Sequence, residues 1–257
     1  METSDADVNQ LLSNIRWGMY SNYLSVPTDC PQRNERHGWT GDTQVFSQAG
    51  TYLTYSKSFL EKFLQDMRDG QLEATGKDTG SYSDIAPFVH HYGSTSFGEA
   101  GWSDAGIIVP WYLYMMYGDL SALEEHWDSM VTYLDVYLAS TNGNGPVMGA
   151  GDHLSPEKLD YSFRPCLGVI YYAWDALLMM DMANALGKTA EAMHYQEVYE
   201  SQKKLFQERY VLEDGRINRP EQSAYLFALY LDLLPDEESV AVVADQLISS
   251  IESNGDL

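Results

Sequence analysis

The segment VPTDCPQRNERHGWTGD, residues 26–42, is a stretch that cannot be helical set between two stretches that can. Pro27 and Pro31 lack an amide proton and push their predecessors out of the helical region, while Gly38 and Gly41 permit positive φ. The segment is therefore a shaped loop. Into it the chain packs three carboxylates (Asp29, Glu35, Asp42), two guanidinium groups (Arg33, Arg36) and the indole of Trp39.

Upstream of the loop, Val8, Leu11, Leu12, Ile15 and Met19 recur on one helical face, with Ser4 or Asp5 placed as N-cap, so a helix is predicted to about Tyr20. Downstream, Asp42 or Thr43 can cap a second helix whose apolar positions Phe46, Leu53, Phe59, Phe63 and Met67 carry it to near Gly70. Residues 71–101 are rich in Gly, Ser and Thr without a sustained period, and loops of that length are functional or mobile. Trp102–Tyr117 resumes a helix, with Pro110 as a kink or boundary. Ser121 with Glu124 forms a capping-box pattern opening a helix through Leu138.

A second Gly-rich loop, NGNGPVMGAGDHLSP, spans 142–156. Helices are then predicted at roughly 165–186, closed by Gly187, at 190–210, capped by Thr189, and over about 220–233 and 236–252. The acids of PDEES, 235–239, complement the positive end of the last one. The adjacent pairs Met115–Met116 and Met179–Met180 sit in apolar helical stretches and belong to the core. About eight helices and no period-two run make the chain all-α, and helix pairs stacked around a ring produce this rhythm.

The chain has 257 residues, 44% of them hydrophobic, enough for the core of one large domain. Thirty-eight acidic against 15 basic residues give a net charge of −23, which excludes nucleic acid and anionic membrane surfaces as partners. Aromatic residues, 13% of the chain, suit both sugar stacking and a helical core. Cys30 and Cys166 are read as reduced thiols, with a single bridge left open. No run approaches a transmembrane span, and METSDADVNQ lacks the basic and apolar regions of an export signal. His90 and His91 are adjacent, which is no metal-ligand spacing, and no metal is expected.

Glycosidic cleavage requires one protonated carboxyl to help the leaving oxygen depart and one ionised carboxyl to activate water or attack carbon. The loop offers three candidates. Arg33 and Arg36 flank Glu35 and oppose its protonation if they point at it, whereas Asp29, Asp42 and burial against Trp39 favour it. The same residues also serve as salt-bridged staples of a loop, and only geometry separates the two readings.

DCPQRNERHGWTGDTQ, 29–44, resembles the signature of bacterial α-L-rhamnosidases of glycoside hydrolase family 78, which reads close to DCPQRDERLGWTGDAQ. NIRWGMYSNYLSVPTDC before it, GWSDAGIIVPWYLYMMYGD at 101–119 and QSAYLFALYLDLLPDEE at 222–238 resemble the same catalytic domain in the same order. The resemblance implies an (α/α)6 barrel and hydrolysis of terminal α-L-rhamnose with inversion, needing no cofactor. It implies Glu35 as general acid and Asp29 and Asp42 as carboxylates that hold the sugar hydroxyls. Arg33 or Arg36 would tie the cluster down, Trp39 would wall the pocket, and Trp102 would line the sugar site with Asp104 close behind. Rhamnose-containing glycans or glycosides are the implied partners, and a bacterial cytoplasm or periplasm the implied setting.

Three departures stand out. Asn34 and His37 replace an Asp and a Leu of the family pattern. In GDHLSP, 151–156, His153 stands where a Trp often forms part of the sugar platform, while Asp152 is retained. A six-hairpin ring has twelve helices, so the predicted eight describe an incomplete barrel over residues 1–257, with the C-terminal part and the general base expected beyond Leu257, and with the missing segment or a homo-oligomer expected to cover the exposed helix faces. Glu99, Asp104, Asp152 and Glu221 are the internal carboxylates available as substitutes for that base.

Overall fold

A computed structural model of the chain describes residues 2–89, 96–146, 151–153 and 161–254. His90 and His91, and parts of the second Gly-rich loop, lie outside them. Nine α-helices follow one another among the described residues: α1 (Ala6–Asn22), α2 (Thr40–Leu53), α3 (Lys57–Gln71), α4 (Ala105–Tyr117), α5 (Ser121–Val131), α6 (Arg164–Ala185), α7 (Thr189–Tyr210), α8 (Gln222–Tyr230) and α9 (Glu237–Asn254). Strand pairing is confined there to isolated bridges, so the all-α reading holds.

The helices divide by sequence into two layers. α4 is apolar around its whole circumference, with Ala105–Pro110 and Leu113 buried, and α6 buries residues on every side, so both belong to the interior. α2 packs on α4, α4 on α6 and α6 on α8, a succession of inner helices. α5, α7 and α9 return on the outside as antiparallel partners of α4, α6 and α8, and α3 packs on α4 and α5. α3 shows how an outer helix is held: Leu60, Phe63, Leu64 and Met67 repeat at helical spacing and are buried, while Lys62 and Asp66 pair on the solvent face. Gly187, at φ +70, turns α6 into α7.

Asp5 caps α1 as expected, accepting from the amides of Asp7 and Val8 at 2.8 and 3.1 Å. The predicted helix over about 42–70 is instead α2 and α3. Thr54 is fully extended (φ −155°, ψ 163°), and the Ser56 amide donates to Tyr117 Oη at 3.1 Å, so a tertiary contact breaks a continuous apolar pattern. α4 passes through Pro110 without stopping. The capping box at Ser121 does not form: the Ser121 amide donates to Asp119 Oδ1 at 2.9 Å, and Lys57 binds Asp119 Oδ2 at 2.9 Å. After Val131 the helix widens to π geometry over Thr132–Leu138. Thr189 is the first residue of α7 rather than its cap.

One composition reading needs correction. Tyr161–Ala185 is long and apolar enough to cross a membrane by length and hydropathy, but 83% of its apolar window is buried by protein, as a core helix requires. Both cysteines are free thiols.

Candidate active site

The loop of residues 26–39 is fastened from behind by the segment 83–86. Thr40 donates its amide to the Asp84 carbonyl at 2.9 Å and its hydroxyl at 3.0 Å, and the Ala86 amide donates to the Gly38 carbonyl at 2.9 Å. Gly38 is needed for that approach, because a Cβ there falls 2.2 Å from the Ala86 carbonyl oxygen. These contacts start α2 at Thr40, earlier than the Asp42 or Thr43 cap read from sequence, and leave Asp42 in its first turn.

On the front of the loop the acids converge. The Glu35 carboxylate accepts the Trp39 indole N–H at 2.7 Å and is ion-paired with Arg33, whose Nη2 also lies 3.8 Å from Asp29 Oδ2. The Cys30 thiol donates to Asp29 Oδ2 at 2.8 Å, and this bond, burial and the Asp29 charge raise the thiol above its ordinary range. Asp29, Cys30 and Glu35 bring three potential ligand atoms within 4.8 Å of one another. The Arg33 guanidinium already supplies positive charge there, so the geometry does not ask for a metal. Arg36 departs from its expected role: at φ +58 it faces a separate depression with Leu24 and Pro31. Of the two arginines, Arg33 ties the cluster.

Two cavities meet at Asp42, and the first of them reaches the cluster at Asp29. One, of about 360 Å³, lies between α1 and α2 and is lined by Met19, Tyr23, Pro27, Asp29, Asp42 and Phe46. The other, of about 320 Å³, is walled by Gly41, Trp102, Asp152, His153, Tyr171 and Phe227. Desolvation raises the Asp42 carboxyl above the usual carboxylate value, with the charges of Asp29 and Glu35 adding to it and His153 opposing. Trp102 and His153 stand edge to face, ring centres 5.7 Å apart, so an aromatic corner persists where the family pattern has a second indole. Asp152 accepts from Ser223 Oγ at 2.5 Å. Glu35 lines neither cavity; its neighbour Asp29 lines the one between α1 and α2.

Gly41 lies flat on Trp102, with the indole 2.7 Å from where a Cβ would stand. Gly41→Ala is expected to displace that ring, costing about 1–3 kcal/mol of stability. Thermal melting checks the loss.

Asp104 is corrected by the structure. It is fully buried, with Oδ1 accepting from Tyr133 Oη at 2.7 Å and Oδ2 from the Gly101 amide at 2.6 Å, so it supports the wall from behind instead of facing a sugar. Of the four internal carboxylates considered above, Asp152 alone lines the cavity. Glu99 is buried near the Ser96 hydroxyl, and Glu221 is held by Arg219, Nε at 3.1 Å and Nη2 at 2.5 Å. Sequence reasoning missed Tyr171 and Phe227, which look like ordinary core positions of apolar helices. It also missed Asp84 and Asp175. The second had a signal, a lone carboxyl in the apolar run VIYYAWDALLMM.

Residues 1–257 match the family described as the bacterial alpha-L-rhamnosidase 6 hairpin glycosidase domain. The chain is 40% identical over 253 residues to an alpha-L-rhamnosidase of Streptomyces avermitilis, covering 98% of this chain and 23% of that protein. To one of Formosa agariphila it is 34% identical over 258 residues, covering 97% and 27%. Among solved structures, a Streptomyces avermitilis alpha-L-rhamnosidase complexed with L-rhamnose superposes with a TM-score of 0.87 at 40% identity, over 98% of this chain and 23% of that one. The chain thus spans about a quarter of the length of the curated relatives it matches.

Proposed function

The chain belongs to the family of bacterial α-L-rhamnosidase six-hairpin glycosidase domains, and from that premise we propose that it serves inverting hydrolysis of terminal non-reducing α-L-rhamnosides, with Glu35 as the proton donor. The observation that carries this reading is the convergence of Asp29, Glu35 and Trp39 beside cavities that meet at Asp42. In the reaction the bond between the anomeric carbon and the leaving oxygen breaks as Glu35 protonates that oxygen, and water adds from the opposite face. Asp29 and Asp42 receive sugar hydroxyls, and Trp102 and His153 form the wall against the ring.

To act, Glu35 exchanges its contact with Arg33 for the glycosidic oxygen. The Arg33 side chain is 60% exposed, and an ion pair with such a partner opens readily. Trp39 retains the carboxyl in place during that exchange. The base that activates water is not assigned: inverting enzymes hold their two carboxyls roughly 6.5–9.5 Å apart with water between, and of the internal candidates only Asp152 faces the cavity, already accepting from Ser223.

The commitment of Glu99, Asp104 and Glu221 to protein partners favours a second reading, in which the 257 residues alone bind rhamnose without turnover. An aryl α-L-rhamnoside assay with L-rhamnose calorimetry decides. Release of the aryl group supports the first reading, binding without release supports the second, and neither overturns both.

A further inference from the structure

Behind the Gly101–Trp102 wall lies a pair of carboxyls that take no part in the reaction described above. Asp104, at the start of α4, and Asp175, midway along α6, are both fully buried. Asp104 takes the Tyr133 hydroxyl on one oxygen and the Gly101 amide on the other. Both Asp175 oxygens lack a hydrogen-bond donor among the described residues, and the Asp175 carboxyl lies close enough to that of Asp104 to feel its charge.

Two ionised carboxylates offer each other only lone pairs, so a hydrogen bond between them requires one proton. Burying both as anions side by side adds repulsion to desolvation. The proton belongs to Asp175. Asp104 already accepts two donors, which stabilise its charge, whereas Asp175 as an anion would have none. Burial first, then the Asp104 charge, holds the Asp175 carboxyl well above the ordinary carboxylate range. The titratable groups that face the pair are Tyr82, Tyr133, Tyr137, Tyr171 and Tyr172, each raised above the usual tyrosine value chiefly by burial.

We propose that Asp175 is a buried carboxylic acid donating to Asp104, and that this acid–carboxylate pair is a positioning device which, through the Gly101 amide, sets Trp102 against the cavity. The turn it holds is tight: Gly101 sits at φ +84, with the Tyr171 hydroxyl 3.0 Å from where a Cβ would stand. One shared proton gives Asp104 a third donor without adding a cation behind the sugar wall. The consequence for sugar binding rests on the function proposed above; the pair itself does not.

The test compares the full chain with Asp175→Asn, whose amide still donates to Asp104, and Asp175→Leu, which cannot. Infrared difference spectra of the unmodified chain against Asp175→Asn, taken at about pH 9 where Asp84 is ionised, are expected to show the carbonyl stretch of a protonated carboxyl that Asp175→Asn lacks. Hydrogen exchange of the Gly101–Trp102 amides should stay within about twofold in Asp175→Asn and accelerate at least about tenfold in Asp175→Leu, with L-rhamnose affinity following the same order. The proposal is overturned if that band is missing, if Asp175→Asn is as damaged as Asp175→Leu, or if Asp175→Leu exchanges like the unmodified chain. Should Asp175→Leu not fold, Tyr133→Phe replaces it: withdrawing a donor from Asp104 is expected to shift the band, and an unmoved band refutes the pairing. Failure of the unmodified chain to bind L-rhamnose would count against the functional reading only, since the infrared and exchange results need no sugar.

Discussion

Glu35→Gln is expected to lower turnover of a rhamnoside with a poor leaving group by about two to four orders of magnitude, while L-rhamnose affinity changes only a few-fold. The substitution is close to isosteric. The Gln carbonyl still accepts the Trp39 indole N–H, so the side chain keeps its place 2.7 Å from that nitrogen. It loses the transferable proton and the charge that draws Arg33. An alkoxide leaves slowly without protonation, whereas a nitrophenolate leaves well unaided, so the loss must shrink on an activated aryl rhamnoside. Steady-state kinetics on both substrates, in the complete polypeptide, separate the outcomes. Equal losses on the two would remove Glu35 from the role of acid.

Asp84→Asn is expected to stabilise the protein by up to about 4 kcal/mol at pH 8 and to change little at pH 4. Asp84 is 1% exposed; one oxygen accepts from the Ser96 hydroxyl at 3.1 Å, and the other is buried with no hydrogen-bond partner among the described residues. Burial, with the Glu99 charge adding, raises its carboxyl from the ordinary 3.8 to about 7. Between those values the folded chain binds a proton that the unfolded chain has released. Stability from this group is therefore fully present below about pH 4, falls as pH rises, and is lost above about pH 7. Asn resembles the protonated form and does not titrate. Chemical denaturation of both proteins across this range tests the sign, and a gap that closes as pH rises would refute it. Because the Asp84 carbonyl holds Thr40, the same comparison reports on the support beneath the acidic loop.

The acid loop was legible because its information is local. Pro27, Pro31, Gly38 and Gly41 dictate a bend, and the residue types name the chemistry that such a bend can gather. The apolar period placed α1, α6, α7 and α9 to within a few residues. It failed at Thr54–Ser56, where nothing in the pattern announces a break and Tyr117, sixty-one residues away, supplies the reason. Arg33 and Arg36 could not be told apart either. Which one reaches Glu35 depends on the positive φ at Arg36, a backbone choice made by the folded loop. Asp104 misled for a related reason, since GWSD gives no hint that its carboxylate turns inward to Gly101 and Tyr133.

By itself, then, the sequence determined an all-α chain built of helix pairs, the loop in which the acids meet and the family to which that loop points. Those properties follow from side-chain period, proline and glycine chemistry and a contiguous motif, each set by neighbours along the chain. Only the tertiary structure decided which carboxyls face a cavity, which lie buried against one another, and which guanidinium pairs with Glu35. Those outcomes depend on desolvation and on contacts between residues far apart in sequence, for which a linear pattern carries no distance.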